Sequence, residues 1–268
     1  MAADEYAGLE RFADVDATGE EAMFVEFLER VEQLPDIVAR RQRSYELLAL
    51  ATGERVADVG CGLGTAAREL AACGARPIGF DASAAMLSEA RRRSEGVAVE
   101  YALADAVDLP LEDGVLAGYR AERVYQHLAD PEAALAEARR VLTGEGRIVL
   151  VDQDWGGLVI DGEPEDVTRA ILAGHSDSIR NGWMGRSYLR LLRDAGFADV
   201  SVQAETVPIT APWLAALMPK LAADAAVETG AVDAEVAKRW LADQGARLER
   251  KTFFAAMAHF IAVARRRA

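Results

Sequence analysis

Val56-Ala57-Asp58-Val59-Gly60-Cys61-Gly62-Leu63-Gly64 is the stretch on which the reading of this chain turns. An apolar strand runs into an acidic residue, Asp58, and then into a turn with glycine at positions 60, 62 and 64. Twenty-one residues beyond Gly60 a second apolar run, Pro77-Ile-Gly-Phe, ends on Asp81. Glycines at a strand-to-helix turn let a ligand lie against bare backbone. A carboxylate at the end of the next strand is placed to hold the two hydroxyls of a ribose.

The pattern points to an adenosine-containing ligand above a parallel sheet. A P-loop requires Gly-Lys-Ser/Thr after the turn, and here Thr65-Ala66-Ala67 follows Gly64. Gly62, Gly64 and Ala67 satisfy G-x-G-x-x-A, but a pyrophosphate would then sit beside Asp58, and like charges in a partly buried site repel. S-adenosyl-L-methionine has no phosphate and carries a sulfonium and an ammonium, which an acidic turn favours.

With Asp58, Gly60, Gly62 and Gly64 the chain resembles the class I methyltransferases, whose first motif is acidic-x-Gly-x-Gly-x-Gly. Gly79-Phe-Asp81-Ala82-Ser83-Ala-Ala-Met86 is similar to the second motif, and the resemblance implies Asp81 on the ribose with Ala82 and Met86 beside the adenine. Ala104-Asp105-Ala106, followed by Asp108-Leu-Pro110, is similar to the third, with Asp105 as acceptor for the adenine amino group. Asp130-Pro131 and Arg140–Val149 resemble the helix and strand that follow. The subgroup matched is the ubiquinone/menaquinone-biosynthesis type, which includes many small-molecule enzymes of bacterial secondary metabolism. The likeness covers residues 36–153 well and the rest loosely.

Alternating periodicity predicts strands near 55–60, 76–81, 98–103, 115–120 and 146–152, with helices between, then strands at 200–207 and 253–265, the last antiparallel. The expected fold is α/β, a Rossmann-like, mainly parallel, seven-stranded sheet with helices on both faces. Residues 1–52 form an N-terminal helical lid, 53–153 the cofactor-binding core, and 154–268 the rest of the sheet. Segments 154–185 and 208–250 make a helical cap walling an acceptor pocket, into which Trp155 and His175 are expected to reach.

For the site, Arg41 on the helix before the first strand is expected either to pair with the methionine carboxylate or to lie on the surface. Arg120 and Ala121, at the end of the fourth strand, are expected to border the cofactor. The pair Arg120 and Glu122 is expected to be hydrogen bonded or to touch ligand, because unpaired buried charge is costly. His127 matches a histidine common in the subgroup, with helix packing and general base as its two readings; Glu122 is the second catalytic candidate. Asp152 and Asp154 are candidates for a polar acceptor group, and His259 reads as structural. No spacing of His, Cys and carboxylates indicates a metal.

Composition bounds the partners. The chain has 268 residues and a formal net charge of −14, which argues against nucleic-acid binding. No apolar run approaches the roughly 20 residues of a membrane span. The start, Met1-Ala-Ala-Asp-Glu-Tyr6, lacks a secretory apolar region, and Cys61 and Cys73 read as small buried residues in a reducing compartment. The expectation is a cytoplasmic protein with a small-molecule acceptor and no membrane partner, homodimerisation being left open. A cyclase that keeps the cofactor as a structural part is the alternative activity. A binding or regulatory protein would call for a damaged glycine turn, and this one is intact.

Overall fold

The computed structural model describes residues 15–267, so the reading of Met1–Tyr6 lies outside the described residues. Two helices, α1 (Glu21–Glu32) and α2 (Pro35–Leu48), precede an alternating run: β1 (Arg55–Val59), α3 (Thr65–Ala72), β2 (Arg76–Asp81), α4 (Ala84–Arg93), β3 (Glu100–Leu103) and β4 (Leu116–Glu122). There follow α5 (Pro131–Val141), β5 (Leu142–Ile160), α6 (Glu165–Ser178), α7 (Met184–Asp194) and β6 (Phe197–Pro208). Helices α8 (Pro212–Glu228) and α9 (Ala234–Glu249) and strand β7 (Ala255–Arg266) complete the chain.

The seven strands form one sheet in the order β3-β2-β1-β4-β5-β7-β6. Strands β1 to β5 are parallel, and β7 runs antiparallel to both β5 and β6. The order reverses between β1 and β4, which opens a crevice above their carboxyl ends. The inner strand β1 is buried on both faces from Val56 to Val59, as a parallel strand covered by helices must be. On one face Tyr119, Leu135, Leu142, Ile148 and Leu192 pack together; on the other Leu48, Val56, Leu70, Val149 and Val151 do so.

Local signals set the helix starts that face the crevice. Ser83 caps α4 by accepting from the Met86 N–H at 3.1 Å. Asp130 caps α5 from the Ala133 N–H at 2.9 Å, with Pro131 in the first turn.

Three features differ from expectation. Strand β5 continues to Ile160 instead of ending near residue 152, because β7 offers it a partner as far as Ala255; a bulge lies between Asp154 and Val159. Residues 154–160 thus belong to the sheet. Strand β4 runs on to Glu122, two residues further than expected. Cys73 is exposed, whereas Cys61 is buried.

The cap is α6, α8 and α9, with a core of its own that includes Ile171, Met218, Ala222, Trp240 and Met257. The Trp240 indole donates to the Thr168 hydroxyl at 2.9 Å. Helix α8 also meets α1: Trp213 stands edge-on to Phe27 at 6.1 Å, and the Arg30 guanidinium lies 4.3 Å from its ring.

Candidate functional site

A cavity of about 1200 Å³ opens above the strand ends, between α1 and α2 on one side and α6, α8 and α9 on the other. Gly60, Gly62, Asp81, Ala82, Met86, Asp105 and Ala106 line one half of it. Gly60 has φ +66°, and a Cβ there would stand 2.3 Å from Val124 Cγ2, so the turn tolerates only glycine. The Gly62 N–H donates to Asp81 Oδ2 at 2.8 Å and the Ser83 N–H to Oδ1 at 2.9 Å, which fixes this carboxylate at the cavity edge. Burial pushes the Asp81 carboxyl up, against the pull of those two N–H groups. Asp105 accepts from the Val107 N–H at 3.1 Å and is oriented by its own turn.

Beneath the glycine turn lies a buried charge cluster. Arg120 donates to Asp58 at 2.8 Å, to the Ser44 hydroxyl at 2.8 Å, and to Glu122. Burial pulls the Arg120 pKa down, but Asp58 and Glu122 outweigh it and raise it overall. The expected Arg120–Glu122 pair is present. The expected border of Arg120 and Ala121 is not, since neither lines the cavity; Glu122, Arg123 and Val124 do. The cause is the longer β4, which carries the exit point past Ala121. Asp58 is likewise matched with a cation and stands behind the wall, so its charge does not face a ligand alone. Arg41 is committed elsewhere: Glu69 takes it at 3.0 and 2.9 Å and the Glu32 carbonyl at 3.2 Å, and it is absent from the lining.

Glu122 Oε1 is buried without a hydrogen-bond partner in a residue of the cavity wall. Burial raises the Glu122 pKa, but Arg120 and Arg123 bring it below its ordinary value, so the wall of this half carries an ionised carboxylate. Glu32 also lines it, with the Thr65 hydroxyl donating to it at 2.8 Å, and burial raises its pKa. Bare backbone, a clamped carboxylate and an unanswered negative oxygen fit a phosphate-free, cationic nucleoside such as S-adenosylmethionine.

The other half is walled by Ile209, Leu214, Met218, Leu221, Leu241 and Met257, with a few polar groups among them. The Trp155 indole donates to Gln126 Oε1 at 2.8 Å, and Gln126 Nε2 lies 3.0 Å from His127 Nε2. Indole N–H is a donor only, so Gln126 turns its oxygen to Trp155 and its amide N–H₂ to His127, whose Nε2 must then accept. His127 is thereby neutral with its Nε2 lone pair engaged; burial, then Arg123 and Arg180, lower its pKa to about 4. His175 stacks edge-on against Trp155 at 5.0 Å, and neither of its ring nitrogens has a partner.

Asp152 and Asp154 point away from the cavity. Asp154 binds Arg186 at 2.6 Å through two oxygens, and Asp152 accepts from the Tyr188 hydroxyl. Strand alternation puts Gln153 and Trp155 on the cavity face instead. Among the described residues, no group of three or more His, Cys, Asp or Glu could hold a metal ion, and no helix is long and apolar enough to cross a membrane.

Residues 57–150 match the family model described as a methyltransferase domain. A 37.1 kDa protein of transposon Tn4556 from Streptomyces fradiae is 42% identical over 240 residues, spanning 84% of this chain and 67% of that protein. Methyltransferase GfsG of Streptomyces halstedii is 33% identical over 193 residues, 67% of this chain and 68% of its own length. The chain belongs to the class I S-adenosylmethionine-dependent methyltransferases. The [4+2]-cyclase SpnF shares the fold, with a TM-score of 0.56, 21% identity, and coverage of 86% of this chain and 80% of the other.

In this methyltransferase the cavity wall includes Gly60, Gly62, Asp81, Ala82, Met86, Asp105, Ala106, Glu122, His127, Trp155 and His175, all singled out in the sequence. Arg41, Arg120 and Ala121 are not part of it. Sequence reasoning missed Glu32, Gln126 and Gln153, and took His259 as structural although it lines the cavity. The signal for two of these was available. Trp155 facing inward implies Gln153 facing inward, and Gln153 pairs across the sheet with His259.

Proposed function

We propose that the protein transfers the methyl group of S-adenosyl-L-methionine to an oxygen, nitrogen or carbon atom of a small, mostly apolar metabolite in bacterial secondary metabolism. The observation that carries this reading is Asp81, clamped by two backbone N–H groups beside the bare backbone of Gly60. When bound, the cofactor supplies an activated methyl group on a sulfonium. The chain's own residues do the rest. Asp81 accepts from the ribose hydroxyls, and Asp105 and Met86 flank the base. Glu122 Oε1 offers the cationic end its counter-charge. The apolar cap holds the acceptor in a water-poor chamber, where alignment alone supplies much of the acceleration. The likeness to GfsG and the cavity volume, which exceeds the ~300–1,000 Å³ of a single-ligand pocket, support a site for two molecules. The resemblance to the ubiquinone/menaquinone-type subgroup adds support over the core only.

Calorimetry with S-adenosylhomocysteine tests the reading. Wild type is expected to bind in the micromolar range, and Asp81→Ala to lose about 100-fold or more, from two hydrogen bonds to a charged group at ~1.5 kcal/mol each. Affinity retained in a folded Asp81→Ala protein refutes it. A second reading, a cyclase that keeps the cofactor, is favoured by the enclosed apolar chamber and the fold shared with SpnF. Mass spectrometry of the product separates the two: a gain of one CH₂ supports methyl transfer, an isomer of the substrate supports cyclisation.

A further inference from the structure

Two polar groups in the half of the cavity under the cap are incomplete. His175 is 5% exposed, and both its Nδ1 and Nε2 are buried without partners. Gln153 Oε1 is buried and unpartnered as well. Both residues line the cavity, and both flank Trp155, one by ring stacking and the other two positions earlier on the same strand face. Buried polar atoms are almost always hydrogen bonded, since each unmet one costs about 1–3 kcal/mol. Orphan atoms on two residues of the chamber wall therefore describe what is to be bound there.

Their chemistry is restrictive. Burial lowers the His175 pKa to about 4, so near neutrality the ring is uncharged, with one N–H donor and one lone-pair acceptor. Gln153 Oε1 adds a second acceptor. An ammonium only donates, which leaves the imidazole N–H unmet. A carboxylate only accepts, which leaves the imidazole lone pair and the Gln153 oxygen facing an anion. A hydroxyl both donates and accepts.

We infer that the acceptor is a neutral, largely apolar molecule bearing a hydroxyl group, which His175 and Gln153 read by hydrogen bonding. This assignment rests on the two-ligand reading of the same cavity. His175 is the specificity-determining residue: it rejects charged analogues of the same shape, and Trp155 fixes the plane of its ring.

Four probes of one shape test it: 2-naphthol, naphthalene, 2-naphthoate and 2-naphthylmethylammonium, titrated into protein saturated with S-adenosylhomocysteine. Wild type is expected to bind the naphthol at least tenfold more tightly than the other three. His175→Phe, which keeps the ring stacking but no polar atom, is expected to bring naphthol and naphthalene within threefold of each other. His175→Gln, which restores a donor and an acceptor, is expected to recover part of the preference. Equal binding of naphthol and naphthalene by wild type overturns the inference. So does a preference untouched by His175→Phe, or the failure of naphthol to bind at millimolar concentration. Affinity for S-adenosylhomocysteine is measured on each protein. Its absence in wild type tells against the cofactor reading itself, whereas its presence with no naphthol preference tells against the acceptor assignment alone.

Discussion

Arg120 is the residue whose removal the buried charge cluster makes most consequential. Its side chain is 3% exposed, with Asp58 at 2% and Glu122 at 8%. Substitution to methionine preserves length and apolar packing but leaves two carboxylates under the glycine turn with no shared cation. Breaking a buried ion pair by deleting one partner costs about 3–5 kcal/mol. The Ser44 hydroxyl also loses the Arg120 N–H that donates to it at 2.8 Å, about 1 kcal/mol more. We expect Arg120→Met to lose about 4–6 kcal/mol at pH 8, roughly 8–24 °C in Tm for a chain of this size at ~2–4 °C per kcal/mol.

The pH dependence gives the stricter check. In the variant both carboxyls sit in low dielectric without compensation, so their folded pKa values rise above the unfolded ones. The folded state then holds protons that the unfolded state has released, and stability is lost as pH rises. The deficit is therefore expected to shrink between pH 8 and pH 5.5, and Asp58→Asn added to Arg120→Met to recover part of it at pH 8. Urea unfolding followed by tryptophan fluorescence measures both. A loss below about 1 kcal/mol at pH 8, or a deficit that grows on acidification, refutes the reasoning.

Two further outcomes follow from buried titratable groups. Burial pushes the Asp152 carboxyl up to about 8 despite the Tyr188 hydrogen bond, so wild type loses stability as pH rises from about 4 towards 8, at roughly 1.4 kcal/mol per pH unit. Asp152→Asn is expected to melt higher than wild type at pH 8, with the gain shrinking by pH 5; thermal melts showing no gain at pH 8 contradict it. His127 and His175 are lowered to about 4 and His259 to about 3, burial being the largest cause for each. The unfolded chain takes up their protons first, so stability falls as pH drops from about 6.5 towards 4. Replacing His259 by Phe is expected to flatten that slope in urea titrations, and an unchanged slope counts against a neutral buried His259.

What the sequence made legible and what it hid divide along one physical line. Asp81 and Gly60 were readable because each carries a local signature: a strand end with the Ser83 N–H two positions on for Asp81, and a positive φ in a glycine-rich turn for Gly60. Seven strands with an antiparallel last one were readable for the same reason, from period and length. Arg41 and Arg120 were misplaced because their positions depend on partners far along the chain, Glu69 in one case and Asp58 in the other. A lone arginine near a ligand site reads the same whether it meets the ligand or a carboxylate behind it.

The acceptor half shows the same limit more sharply. Gln153, flanked by two aspartates, looked less chemical than its neighbours, yet β5 alternation turns Asp152 to Tyr188 and Asp154 to Arg186 and leaves the amide facing the chamber. That face is set by pairing with β4 as far as Val151 and is continued by β7, more than a hundred residues later, where His259 pairs with Gln153. A one-residue slip of β5 against both neighbours would place the two aspartates in the cavity instead. The polarity of this cavity wall thus depends on strand pairing far along the chain as much as on any motif.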